Sequence, residues 1–315
     1  MFEADKFIKE TATKLKKEVI GKALIAFSGG VDSTVCAALV NKAIGDNLIA
    51  VHIDTGYMRK GESASVKKLM GQLGLTYRFI DASEEYYRAL KGVEGPERKR
   101  KIIGEKFIRL FEKVAKEENI DYLIQGTIAP DWIESGGELR DTIKSHHNVG
   151  GLPEQMNVKL VEPLRDLYKD EVRKVARVLK LSVSERQPFP GPGLAIRIIG
   201  EASPERAEIV RDACHIVEME IEAAAGNGMM ELPWQYFAVL MPVKTVGVQG
   251  DKRAYGHTIA IRAVQSVDAM TCKYSDIPHT VLDNISTKIT NTMGDKINRI
   301  VYDVTNKPPG TVEWE

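Results

Sequence analysis

Ser28-Gly29-Gly30-Val31-Asp32-Ser33 stands between two stretches that give it meaning. Before it, Ala23-Leu24-Ile25-Ala26-Phe27 is a short continuous apolar run, the pattern of a strand buried on both faces. After it, Val35, Cys36, Leu39, Val40, Ala43 and Ile44 fall on one face of a helix. The hexapeptide is therefore a turn from a buried strand into a helix N-terminus. Two glycines let the backbone approach a ligand and take positive φ without a Cβ penalty. The first N–H groups of the helix have no internal partner, and with the helix dipole they form an anion site. Ser28 and Ser33 add hydroxyl donors. A carboxylate in such a nest, Asp32, makes chemical sense when Mg²⁺ accompanies phosphates. A lone Gly-Gly turn is commonplace without any ligand, but the whole hexapeptide in this setting is more specific. No Gly-Lys-Ser/Thr follows, so the loop is not of the Walker type.

Working outward, a leading helix is expected over 4–20. Strands are expected over 48–53, 76–81 and 121–126, with helices over 61–73, after Ser83, and over 96–118. Alternating strands and helices predict an α/β fold, a doubly wound parallel sheet. Ligands of such sheets bind at the carboxyl ends of strands, where Ser28, Asp54 and Gly126 fall. From 127 to 162 the periodicity fails, as in a functional or disordered loop. A helix over 168–181 follows, and then the stiff run Gln187-Pro188-Phe189-Pro190-Gly191-Pro192-Gly193. A boundary here divides the chain into domains 1–187 and 188–315. Beyond it, Ser203-Pro204 caps a helix to about residue 225. Strands at 239–241, 257–264 and 300–304, with a helix at 281–293, make the second domain α+β.

The 315 residues are 43% hydrophobic and 28% charged, the composition of a globular protein with a real core. Lys+Arg and Asp+Glu both number 44, which argues against nucleic acid as a partner. Cys36, Cys214 and Cys272 have no paired spacing, and no apolar run approaches transmembrane length. A cytoplasmic protein without membrane contact is expected.

The loop resembles that of the ATP pyrophosphatases, among them GMP synthetase, NAD synthetase, argininosuccinate synthetase, asparagine synthetase and tRNA-thiolating enzymes. The rest of the chain resembles GMP synthetase. The motifs are Pro-Asp-Trp-Ile-Glu-Ser from Pro130, Lys-Ser-His-His-Asn from Lys144, and Glu-Pro-Leu-Arg-Asp-Leu-Tyr-Lys-Asp-Glu-Val-Arg from Glu162. Further on come Pro-Phe-Pro-Gly-Pro-Gly-Leu-Ala-Ile-Arg from Pro188, Gln-Gly-Asp from Gln249, and Lys-Pro-Pro-Gly-Thr-Val-Glu-Trp-Glu from Lys307. Gln187 departs from the His that many relatives carry before Pro-Phe-Pro, so a general base at this position is in doubt. Many relatives begin with a glutamine amidotransferase domain of about two hundred residues. Here the loop follows a single leading helix, so the chain resembles the separate synthetase (ATP pyrophosphatase) subunit of a two-subunit GMP synthetase.

The resemblance implies adenylation of xanthosine 5′-monophosphate (XMP) by ATP, then attack of ammonia to give GMP, AMP and pyrophosphate. It implies that Ser28, Gly29, Gly30, Val31, Asp32, Ser33 and Thr34 hold ATP phosphates and Mg²⁺. Val51 and Ile53 would flank adenine, and Gly126 and Thr127 would close the nucleotide pocket; without the resemblance these are strand core and a strand-end turn. Asp32, Ser33 and Lys144 are the implied catalytic residues, Lys144 as a point charge on a lid over 144–151. Asp131, with Glu134 near it, would join Asp32 at the metal. Asp251, Arg253, Lys307 and Glu313 would bind XMP, with Lys307 at its phosphate and Glu313 accepting from a ring N–H. Adjacent His146 and His147 point apart and lack a third ligand spaced for zinc. Arg98-Lys99-Arg100-Lys101 is read as the solvated face of a helix. The implied partners are a separate glutamine amidotransferase subunit and a second copy of the chain, joined through the C-terminal domain. A NAD synthetase shares the loop and its use of ammonia but would lack the Pro-Phe-Pro-Gly-Pro-Gly run. A nucleotide-sensing module without turnover is a third reading, which release of AMP and pyrophosphate would exclude.

Overall fold

The computed structural model describes residues 2–129, 158–181, 187–266 and 269–315. Its packing divides the chain into two compact units. One comprises Met1–Asp54, Glu62–Ala82 and Gly104–Arg186; the other comprises Thr55–Gly61, Ser83–Ile103 and Gln187–Glu315.

The first unit is built on a five-stranded sheet. Its strands are β1 (Ala23–Ala26), β2 (Leu48–Asp54), β3 (Thr76–Asp81), β4 (Tyr122–Ile124) and β5 (Lys159–Val161), all parallel, in the order β3-β2-β1-β4-β5. The apolar run before the loop is the central strand, with Ala23, Leu24 and Ile25 fully buried. The chain winds outward from β1 through β2 to β3, then returns to the other side of β1 as β4. That reversal puts a switch point at the carboxyl ends of β1 and β4, where open α/β sheets bind ligands. Helix α1 (Ala4–Glu18) buries Ile8, Thr11 and Leu15 at helical spacing, and α2 (Val31–Ile44) buries Val35, Cys36, Leu39 and Val40. Helix α3 (Glu62–Gln72) lies against β2 and β3, and α6 (Lys169–Val178) packs on α1 and α2.

Strand β5 corrects the expectation of an unbroken irregular stretch over 127–162. It is three residues long and buries only Val161, while Leu160 is half exposed. So short a strand leaves no periodic trace. Its identity comes from pairing with β4, Tyr122 to Lys159 through Ile124 to Val161.

In the second unit, β6 (Gln235–Gln249) and β7 (Lys252–Gln265) form a long antiparallel hairpin. Strand β8 (Lys273–Tyr274) and the parallel β9 (Ile297–Tyr302) both pair with β7. The strands extend well beyond the apolar segments that announced them. Gly250 and Asp251 both have positive φ and form a two-residue turn of the kind that closes tight hairpins. Helix α7 (Pro204–Gly226) is capped as expected, the Ser203 hydroxyl accepting from the Arg206 N–H with Pro204 at the first position. Helix α8 (His279–Met293) buries Val281, Ile285, Ile289 and Met293. Helix α4 (Ser83–Leu90) and the first two turns of α5 (Pro96–Glu117) belong to this unit too.

Segment 55–61 joins the second unit through backbone contacts that composition does not reveal. Arg211 donates to the carbonyls of Gly56 and Met58, and the Tyr57 hydroxyl donates to the Ala202 carbonyl. A Cβ on Gly193 (φ +65°) would lie 2.4 Å from the Tyr57 carbonyl oxygen, so only glycine allows this approach.

Candidate active site

The loop leaves β1 and turns through Gly29 at φ +76°; Gly30, extended, is the N-cap of α2. Three short bonds hold it. The Gly30 N–H donates to Ser28 Oγ at 3.2 Å, Ser33 Oγ donates to the Gly30 carbonyl at 3.2 Å, and the two hydroxyls lie 3.0 Å apart. The first turn of α2 thus presents its N–H groups beside two hydroxyls, an anion nest by construction. Gly126 packs against that turn. A Cβ there would meet the Asp32 carbonyl oxygen at 3.3 Å, tighter than ordinary contact, so β4 ends close to the loop.

Asp32 carries the electrostatics. Its Oδ2 accepts from Lys169 Nζ at 2.6 Å, while its Oδ1 is buried with no hydrogen-bond partner among the described residues. A buried carboxylate oxygen is costly to leave unpaired. In an anion nest, such an oxygen fits a hard cation that also touches phosphate. Mg²⁺ is commonly held by one or two carboxylates plus substrate phosphates, so a single aspartate suffices for the protein's share. Among the described residues no group of three or more His, Cys, Asp and Glu is gathered as for a metal cage. Asp131, Glu134, Lys144 and the His146-His147 pair lie outside the described residues.

Lys169 is the residue that sequence reading missed. It sits in the quoted Leu-Tyr-Lys-Asp-Glu run at the start of α6, 137 positions from Asp32, and no local pattern links the two. The remaining nucleotide candidates are buried. Thr34 and Thr127 each have a hydroxyl without a partner among the described residues, and Val51 and Ile53 lie in β2, buried. Cys36, one turn into α2, touches the Gln125 carbonyl at 3.7 Å. Burial raises its thiol far above the usual range, and the carboxylates of Asp32 and Glu162 add to the shift.

In the second unit, Glu313 is held from two sides. Arg197 donates to both its oxygens at 3.0 and 2.8 Å, and Gln235 donates to Oε1 at 3.0 Å. Lys307 pairs with Cys272 through both backbone groups, and its ammonium donates to the Ala269 carbonyl at 2.8 Å. Asp251 and Arg253 are exposed at the hairpin end. Arg262 donates to the carbonyls of Thr305 and Thr311, so it marks the tail's end of β7. Arg262 lies nine positions after Arg253, about 30 Å of strand. Within one chain, then, Asp251 and Arg253 are not brought to Lys307 and Glu313. Gln187 has a structural use: its amide donates to Glu218 at 3.0 Å and accepts from the Tyr236 N–H at 3.0 Å.

One reading is corrected outright. Lys99, taken for part of a solvated helix face, is fully buried, and Arg100 donates to the Glu315 carbonyl. Lys99 bonds Ala195, Ile198 and Glu315, and Arg100 bonds Glu315, partners 96 to 216 positions on and out of reach of a helical-face argument.

Two family models match the chain: "NAD synthase" over residues 3–127 and "GMP synthase C terminal domain" over 222–314. Curated relatives match over full length. One, from Thermococcus kodakarensis, is 56% identical over 99% of both chains. Another, from Methanopyrus kandleri, is 53% identical over 100% of both. Each is named as one subunit of a glutamine-hydrolyzing GMP synthase. Among solved structures, an NMN synthetase from Francisella tularensis aligns at 15% identity over 66% of this chain and 82% of its own, with a TM-score of 0.48.

Proposed function

The chain belongs to the family of those GMP synthase subunits, and we propose that it adenylates XMP with Mg²⁺-ATP and aminates the product with ammonia. It is a ligase of GMP synthesis that uses ATP. The observation that carries the mechanism is the Asp32–Lys169 pair at the mouth of an anion nest, with the second carboxylate oxygen lacking a partner among the described residues. In this reading, residues 1–187 are the ATP pyrophosphatase domain and 188–315 the dimerisation and XMP-binding domain.

The C2 oxygen of XMP attacks the α-phosphorus of ATP, and the bond to the β-phosphate oxygen breaks. The reaction asks for stabilisation of the departing pyrophosphate more than for a covalent nucleophile. The α2 N–H groups, Ser28 and Ser33 bind that anion. Lys169 turns from Asp32 to the phosphates as they arrive, and Lys144 adds a second positive charge. Asp32, with Asp131, would hold Mg²⁺, which neutralises charge on the leaving group. Ammonia then adds at C2 and AMP departs with the oxygen, leaving GMP. Val51 and Ile53 flank adenine, and Thr34 and Thr127 offer hydroxyls that have no partner among the described residues.

Lys307 takes the XMP phosphate. Glu313 Oε2, which among the described residues accepts one bond, from Arg197, accepts from the xanthine ring. The outer half of the β6–β7 hairpin exposes Val246, Val248 and Tyr255, an apolar arm suited to a second copy of the chain. In such a homodimer Asp251 and Arg253 would serve the XMP site of the other copy. No described helix is long and apolar enough to cross a membrane, and the three cysteines are unpaired, in keeping with a cytoplasmic enzyme.

The purified chain with XMP, ATP, Mg²⁺ and ammonium should yield GMP, AMP and pyrophosphate in equal amounts by nucleotide chromatography. Release of AMP without GMP, or only with a different acceptor, would refute the substrate. Lys307→Ala should raise the KM for XMP and leave that for ATP unchanged. Losing a charge-assisted bond costs about 1.5–3 kcal/mol, roughly ten- to more than a hundredfold. A parallel rise in both constants would remove Lys307 from the XMP site.

A further inference from the structure

Lys99 sits in the first turn of α5, its side chain fully buried. A buried ammonium is tolerated when it is paired and hydrogen-bonded. All three of its donors find oxygen: the carbonyls of Ile198 at 2.6 Å and Ala195 at 3.2 Å, and the carboxylate of Glu315. Burial lowers the Lys99 pKa, and Glu315 opposes that shift. Glu315 accepts as well from the Gly200 N–H at 3.3 Å, and Arg100 reaches its carbonyl. One lysine therefore ties the 195–200 segment to the far end of the tail.

The same segment supplies the second anchor, because Arg197 holds Glu313. Between the two anchored glutamates, Trp314 goes elsewhere and donates through Nε1 to Asp303 at 3.0 Å. A slip of one residue would bring Trp314 to a cation and turn Glu313 away. Replacing a buried ion pair by apolar side chains often costs no stability, and its best-attested use is to fix register.

We propose that Lys99 is a positioning residue of the XMP site: through Glu315 it fixes the register of the tail, so that Glu313 and Lys307 face the nucleotide. The proposal rests on the reading that the tail binds XMP. It goes beyond that reading by assigning a residue which itself touches no substrate.

Michaelis constants for XMP and ATP, kcat with ammonium, and melting temperature would be measured for Lys99→Met, Glu315→Leu and Glu315→Gln. Lys99→Met and Glu315→Leu are expected to raise the KM for XMP about tenfold, about 1.4 kcal/mol. The KM for ATP and kcat should stay within about threefold. Glu315→Gln keeps an acceptor for Lys99 and should stay near the parent enzyme. A purely structural role would instead lower the melting temperature and shift all constants together, or leave the KM for XMP unchanged; either result overturns the proposal. Should Lys99→Met fail to fold, Glu315→Leu carries the test. Lys307→Ala separates the two layers. If it leaves XMP unaffected, the tail reading fails; if it weakens XMP while Lys99→Met and Glu315→Leu do not, the register clamp alone fails.

Discussion

Asp32→Asn is expected to lower Mg²⁺-dependent release of pyrophosphate by about 10²–10³-fold, the usual cost of removing one preorganised electrostatic contact from a developing charge. The change is nearly isosteric. The amide oxygen can still accept from Lys169, now 2.6 Å from Asp32 Oδ2, and the loop bonds among Ser28, Gly30 and Ser33 do not involve the carboxylate. The melting temperature and XMP binding should therefore stay at parental values. What is lost is the negative charge, and with it the hard oxygen at Oδ1 that has no partner among the described residues. Manganese titration followed by electron paramagnetic resonance gives a readout independent of turnover: in the presence of ATP, Asp32→Asn should bind the ion more weakly. Parental turnover at ordinary Mg²⁺ concentrations would refute the metal role. Lys169→Met makes the companion test. It removes a charge from the phosphates but also releases Asp32, so ATP affinity should fall while manganese binding without nucleotide rises.

Sequence patterning reached the parts of the molecule whose causes are local. The buried run of β1, the glycine turn and the helix after it declare themselves within about twenty residues, and the Ser203-Pro204 cap within two. Alternation predicts a doubly wound parallel sheet, so a site at the carboxyl end of β1 was legible too, whereas the order β3-β2-β1-β4-β5, and β5 itself, come only from the pairing of the strands. Partners that meet through tertiary packing were not. Lys169 reads as an ordinary first-turn lysine until α6 is placed beside the loop. Lys99 reads as one of four consecutive basic residues, and only its burial against Ala195 and Ile198 sets it apart from Arg98 and Lys101. The outer half of the β6–β7 hairpin mixes Lys244, Thr245 and Gly247 with valines, a pattern too weak to announce a strand. The ladder from Lys244–His257 to Gln249–Lys252 makes it one.

The largest contrast is expected between two nitrogen sources. This chain should make GMP from ammonium but, by itself, form none from glutamine. Glutamine hydrolysis by a cysteine enzyme needs a thiolate that is accessible and kept ionised by a neighbouring base. The three cysteines are all buried. Cys36 is buried beside the phosphate loop, and the same carboxylate that suits a metal there repels a thiolate. Cys214 is held between α7 and β6, where its sulfur lies 3.4 Å from the Ala238 nitrogen and carbonyl. Burial pushes its thiol up to about 11 despite the nearby Arg197. Cys272 pairs with Lys307 through its backbone, and the cation near its sulfur, Arg262, is engaged with Thr305, Thr311 and Asp303. None of the three offers an exposed nucleophile. Ammonia must then come from solution or from a separate glutamine amidotransferase chain, and adding that chain should switch on the use of glutamine. The measurement is GMP formation from glutamine with free ammonia scavenged, against the same chain given ammonium. GMP made from glutamine at a rate comparable to that from ammonium would sink the two-subunit reading. It would also require one of these buried cysteines, or another nucleophile altogether, to be exposed.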